Sequence, residues 1–236
     1  MSGLQNMRIH SAFAIPIVQI MLPGMEALNG RLLELLLAWE ADIARERLSQ
    51  PTAVPKHAVY ESDFHLFSRE HPDIKLLATQ CLQHLGMLVA QLNRYSNEEM
   101  SRLRIYHLSW YHITRNGGYT AIHNHPMASW SGVYCVDPGE PASPEIPNNG
   151  ALRFLDMRTA ANNYIDMGNA YLSEPYCIAD LAFSLEPGQL LLFPSYLVHE
   201  VSPYFGQRER VTVAFNAWIK DYREPPVEPA VVKRDR

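Results

Sequence analysis

From residue 103 onward the chain breaks into short runs rich in β-branched and aromatic residues, with turn signals between them and no helical pattern. The runs are 103–113, 119–125, 131–137, 151–156, 181–185, 189–193 and 208–218. Asn116-Gly117-Gly118 reads as the turn between the first two, and the Pro/Gly/Asn-rich stretch 137–150 as a long loop. Many short strands with no helices between them point to a barrel or two-sheet jelly roll, a mainly β fold with flanking α-helices.

The front of the chain is helical. Leu32, Leu36, Trp39 and Ile43 recur at helical spacing within 24–48, and no proline interrupts them. A second helix is expected over 73–95, with Asp73 as its N-cap and Leu77, Cys81, Leu85, Leu88 and Leu92 as its buried stripe. The stretch between them, with His57, His65 and His71, reads as loop, and 13–22 as a strand leading into the first helix. Glu224-Pro225-Pro226-Val227-Glu228-Pro229 reads as an extended tail. The expectation is a single domain over 1–236: a helical buttress (1–100), a β core (101–222) and the tail (223–236).

Composition removes several function classes. The 236 residues are 47% hydrophobic, enough for a sizeable core. A net charge of −5 without a basic block argues against nucleic acid or an anionic membrane as partner, and no apolar run is long enough for a span. Cys81, Cys135 and Cys177 form no CxxC and are odd in number, which fits free thiols in a reducing cytoplasm.

Ten histidines remain to be placed. Those at 10, 57, 65, 71, 84 and 107 fall at ordinary surface, loop or helix positions, and His112 reads as a satisfied core residue. His123-Asn124-His125 is different. On a strand, the two-residue period turns both imidazoles to one face, where they can share a metal ion. Two histidines on an exposed strand is the plain alternative. His199 follows the turn and buried strand Glu186-Pro187-Gly188 to Phe193-Pro194, and barrel closure can bring such a residue beside a distant HxH pair. Three neutral imidazoles with open positions suit Fe(II), with Zn, Cu, Ni and Mn also possible.

On the last strand Arg208, Arg210, Thr212, Ala214 and Asn216 share one face, while Val211, Val213 and Phe215 take the other. A guanidinium turned into a barrel is costly unless paired. Beside a threonine hydroxyl it would bind a carboxylate through bidentate, charge-assisted hydrogen bonds. Solvated arginines on an edge strand are the alternative.

Together, His123-Asn124-His125-Pro126, Trp130-Ser131-Gly132-Val133-Tyr134, Leu192-Phe193-Pro194-Ser195 with His199, and Arg210-Val211-Thr212-Val213-Ala214-Phe215-Asn216 resemble the Fe(II)/2-oxoglutarate-dependent oxygenase superfamily, in particular a bacterial group with the same succession of motifs. The resemblance spans roughly residues 100–220. It implies a double-stranded β-helix (a cupin-like barrel) with Fe(II) held by His123, His125 and His199. It also implies 2-oxoglutarate anchored by Arg210 and Thr212, with Arg208 as fallback, and O2 as co-reactant. Two positions depart from the pattern. His125 stands where the wider superfamily has Asp or Glu, and Cys135 where the group tends to have tyrosine.

Two other readings compete. Gly117 and Gly188 precede the histidine motifs at spacings that also resemble three-histidine cupins, which need no 2-oxoglutarate; in that reading Arg210 need not enter the pocket. A non-catalytic binding barrel is the third. By strand parity, Ser131, Val133, Cys135 and Asn216 face the pocket, with Trp130 near its mouth, and the segments 137–150 and 162–177 are candidate lids. The expected substrate is a small molecule or a peptide side chain, and the expected assembly a homodimer through the helical face.

Overall fold

A computed structural model describes residues 8–43, 54–158 and 160–222. The proline-rich tail and the end of the first expected helix lie outside the described residues. In chain order the elements are β1 (Val18–Met21), α1 (Glu26–Ile43), β2 (Lys56–Glu61), a short 3-10 turn (Leu66–Ser68), α2 (Pro72–Asn93), α3 (Asn97–Ser101), β3 (Leu103–His123), β4 (Trp130–Asp137), β5 (Leu152–Phe154), β6 (Leu181–Phe183), β7 (Gln189–Pro194), β8 (His199–Tyr204) and β9 (Arg210–Asp221). The strands form an antiparallel sheet in the order β1-β7-β4-β9-β3-β8-β5-β6, with β2 added on β3. This is the double-stranded β-helix expected from the motifs.

Strand parity sorts the core into two layers, as the two-residue period requires. Leu190 and Leu192 of β7, with Val211, Val213, Phe215 and Ala217 of β9, join Leu32 and Leu36 of α1 and Leu77, Cys81 and Leu85 of α2 in the larger cluster. Leu191 and Phe193 turn inward with Cys135, Leu152 and Phe154. Each fully buried Leu in these layers contributes about 1.5–3 kcal/mol of transfer free energy. Close packing also explains a motif glycine: a Cβ at Gly132 would lie 2.3 Å from the Phe215 ring. Tyr134 adds a polar tie, its hydroxyl donating to Asn29 Oδ1 of α1 at 2.6 Å.

Several local expectations are corrected. The expected turn at 116–118 is a bend within one long strand: residues 103–114 of β3 pair with β9, and residues 118–123 pair with β8. Gly117, at φ 78°, and shifts of register absorb the change of partner strand without a chain reversal. β2 lies where a loop was expected and staples both sides of that bend, pairing Lys56 with Thr120 and Glu61 with His112. The N-cap of α2 is His71, not Asp73; its ring accepts from the Asp73 N–H and leaves Pro72 at the first helical turn, where a missing N–H costs nothing. Leu92, expected in the buried stripe, is 47% exposed, because α2 ends just beyond it at left-handed Arg94.

Candidate metal centre and cosubstrate pocket

His123 closes β3, His199 opens β8, and the two are register partners in adjacent strands. His125 does not share the strand with His123 as the HxH spacing implied. The strand ends at His123, and the chain turns so that the His125 N–H donates to Ser195 O at 2.8 Å. The turn still brings all three rings together, at centroid separations of 5.0 Å (His123–His125), 4.3 Å (His123–His199) and 5.2 Å (His125–His199). One ring nitrogen from each falls within 4.8 Å of the others.

The hydrogen bonds decide which nitrogens converge. His123 Nδ1 lies 2.7 Å from Ala121 O, and His199 Nδ1 lies 2.8 Å from Leu197 O. A carbonyl only accepts, so both Nδ1 atoms carry the proton and both Nε2 lone pairs are available as ligands. Burial disfavours the charged form, which puts His199 down at about 3 and His125 down at about 4, and also lowers His123. Phe193 and Phe154 wall in His199, while the Trp110 ring sits 5.9 Å from that of His125. Three neutral, converging imidazoles in an apolar surround fit a first-row divalent metal.

The histidines share their pocket with Arg210, Thr212, Asn216, Ser131, Val133 and Trp110. Arg210 is 3% exposed, burial lowers its pKa, and it forms no ion pair with any acid among the described residues. Thr212 beside it is equally buried. Ser131 links two walls: its hydroxyl donates to Asn216 Oδ1 at 2.8 Å and lies 2.8 Å from Ser195 Oγ.

Four sequence readings change here. Arg208 precedes β9 and turns outward to Asp137 and the Gly139 carbonyl, so it is no fallback anchor. Cys135 faces inward but packs behind the pocket among Leu191 and Phe193, where burial pushes its thiol up to about 12. Trp130 packs toward the helical layer; the indole in the pocket belongs to Trp110. The loop 137–150 is tied down by Asn149, which bonds Phe205 N at 2.6 Å and Phe205 O at 3.0 Å.

His112 is a pocket residue that sequence reasoning assigned to the core. Its Nε2 lies 2.7 Å from Glu61 Oε2, and Lys56 Nζ lies 3.0 Å from the same oxygen. Burial keeps His112 neutral, so its N–H donates to the carboxylate. Burial alone would raise Glu61, but His112 and Lys56 outweigh it and bring the carboxyl down to about 2. The alternation Trp110, His112, Thr114 on the face opposite Tyr111 and Ile113 was the available signal for His112. Nothing local in the sequence marked Glu61 and Lys56.

Residues 108–216 match the protein family described as "Putative 2OG-Fe(II) oxygenase", where 2OG is 2-oxoglutarate. The match runs from β3 to β9, the strands that carry the three histidines and Arg210. No curated protein matches the chain. Among solved structures, AviO1 from Streptomyces viridochromogenes Tue57 is similar over 91% of this chain and 93% of its own, at 15% identity and a TM-score of 0.55. A Pseudomonas putida prolyl-4-hydroxylase is similar over 86% and 92%, at 15% identity and a TM-score of 0.51. The epimerase SnoN, in complex with Fe3+, alpha-ketoglutarate (2-oxoglutarate) and nogalamycin RO, is similar over 87% and 78%, at 12% identity and a TM-score of 0.51. At these identities the likeness concerns the oxygenase fold. No described helix is long and apolar enough to cross a membrane.

Proposed function

We propose that the chain is an Fe(II)- and 2-oxoglutarate-dependent oxygenase in which His123, His125 and His199 hold iron while Arg210 and Thr212 hold the distal carboxylate of 2-oxoglutarate. The observation that carries this reading is Arg210, a buried guanidinium without an acidic partner in the pocket that holds the three histidines. An uncompensated buried charge costs several kcal/mol, roughly, and an anionic ligand of matching geometry removes that cost. Thr212 adds a hydroxyl donor on the same face of β9.

The oxidising chemistry comes from iron, 2-oxoglutarate and O2 when bound, with succinate and CO2 as co-products. The protein supplies position and dryness. Deprotonated at neutral pH, the imidazoles need release no proton to bind metal. Leu152, Phe193, Val201 and Phe215 line the pocket with apolar surface and limit its water. We assign the helical front and the barrel to one unit, supported by their shared cluster of buried side chains, and the three free cysteines to a reducing compartment such as the cytoplasm.

Anaerobic titration of Fe(II)-loaded protein with 2-oxoglutarate tests this directly. Arg210→Ala should weaken 2-oxoglutarate binding by about 100-fold, the equivalent of roughly 3 kcal/mol, and leave metal binding intact. His199→Ala should lose the metal. Wild-type protein that binds iron tightly and shows no affinity for 2-oxoglutarate would instead be a three-histidine metalloenzyme of the cupin type. Protein that binds no transition metal would be a binding barrel.

A further inference from the structure

The stem of Arg210 lies against backbone. Gly150 has φ 60°, and a Cβ there would lie 3.0 Å from Arg210 Cδ, 3.1 Å from its Nε and 3.2 Å from the Tyr204 ring. A methyl at this point would push the guanidinium stem aside by a few tenths of an ångström, and the left-handed φ itself favours glycine. Gly150 itself is held, its N–H donating to Pro203 O at 3.2 Å. The Tyr204 ring is fully buried; its hydroxyl accepts from the Glu140 N–H at 2.9 Å and donates to Arg208 O at 2.7 Å. Glu140 in turn accepts the Gln207 N–H at 2.6 Å. With the Asn149–Phe205 bonds, these contacts bolt the loop before β5 onto the corner between β8 and β9. The stem of Arg210 therefore packs against a corner that is held by its own hydrogen bonds.

We propose that Gly150, backed by Tyr204, is a positioning residue that fixes the reach of Arg210 and thereby selects a five-carbon 2-oxo diacid over its four- and six-carbon homologues. This rests on the reading of Arg210 as the anchor for the distal carboxylate. The metal end of the ligand is fixed by the histidines, and the far end by a guanidinium whose stem packs against that corner. A bidentate hydrogen bond weakens steeply with misplacement, so one ligand length satisfies both ends. One extra or missing methylene then separates ligands by roughly 10- to 200-fold.

The test is calorimetric titration of Mn(II)-loaded protein with 2-oxoglutarate, oxaloacetate and 2-oxoadipate. Wild-type protein should prefer 2-oxoglutarate over both homologues by about tenfold or more. In Gly150→Ala the methyl displaces the stem, 2-oxoglutarate affinity should fall about tenfold or more, and the preference among the three should narrow. In uncoupled succinate formation the same variant should show a raised KM for 2-oxoglutarate at nearly unchanged kcat. Gly117→Ala controls for backbone strain, since Gly117 is also left-handed (φ 78°) but has nothing within 4 Å of its Cβ position. It should bind all three ligands as wild type does. Tyr204→Phe adds no atom and loosens the corner; it should fold normally, by near-ultraviolet circular dichroism, and weaken 2-oxoglutarate about threefold. That variant decides the matter if Gly150→Ala does not fold. Wild-type affinities in Gly150→Ala, equal losses in it and Gly117→Ala, or no chain-length preference in wild type would each overturn the proposal. If Arg210→Ala also retains 2-oxoglutarate, the anchor reading itself fails; if Arg210→Ala loses it while Gly150→Ala does not, only the role of Gly150 fails.

Discussion

His123 and His199 each donate one ring N–H to the carbonyl two residues earlier, which leaves each Nε2 lone pair available to a ligand-seeking metal. His125 forms no such bond and is held by its backbone contact to Ser195 and by Trp110. His125 is therefore the least constrained of the three, and His125→Ala should weaken metal binding less than His123→Ala or His199→Ala in a competitive chelator titration. His112 lies outside the cluster of three ring nitrogens and is held by Glu61 instead, its Nε2 2.7 Å from the carboxylate. Glu61→Gln removes the charge that Lys56 and His112 converge on, at only 10% side-chain exposure of the carboxylate. It should cost about 1–3 kcal/mol in urea denaturation. That His123, His125 and His199 come together was legible from the succession of motifs, HxHP and a later histidine. The Lys56–Glu61–His112 set was not, since its members come from strands fifty residues apart in sequence whose pairing no local pattern encodes.

At the scale of elements, β3 is the strand on which the site depends. It pairs with β9 through residue 114 and with β8 from residue 118, so it carries Trp110 and His112 beside β9 and His123 beside β8. The glycines at 117 and 118 were visible in the sequence, but a turn signal does not distinguish a reversal from a bend; the neighbouring strands do. β8 was missed because Pro203 and Glu200 give it little strand character, whereas pairing with β3 and β5 holds it in place. The inner and outer faces of β7 and β9 followed correctly from alternation. That alternation yields a packing test: Gly132→Ala puts a methyl 2.3 Å from the Phe215 ring and should destabilise the protein by about 1–3 kcal/mol through overpacking. Helix α3 offers a milder one. Ser96 and Glu99 form a reciprocal capping box, so Ser96→Ala should cost about 1 kcal/mol, read by thermal or urea unfolding.

For the whole molecule, burying neutral histidines links folding to pH. His199 at about 3 and His125 at about 4 lie below the ordinary value of 6.5, so the unfolded chain binds protons that the folded chain refuses. Their contribution to stability is complete above about pH 6.5 and is lost as pH falls through about 4 and then 3. Glu61, lowered from 4.5 to about 2, loses its contribution between those two values. The metal-free protein should accordingly melt at lower temperature as pH drops from about 6.5 to about 4, and added Mn(II) should raise its Tm by mass action. Protonation of His125 and His199 should take little from metal affinity between about pH 7 and pH 5, because burial holds both below that range; a loss near pH 6 equal to that of three exposed histidines in a competition titration would contradict this. By itself, the sequence determined the alternating faces of β7 and β9, the two long helices and the residue types of a candidate metal and carboxylate site, because side-chain period and motif order are local properties of the chain. The tertiary structure decided which residues meet. It turned Arg208 out and left Arg210 in, moved Trp130 to the helical layer, placed Trp110 beside His125, and delivered Lys56 and Glu61 to His112. Those outcomes depend on strand register and on where β9 begins, which are set by contacts between segments distant in sequence.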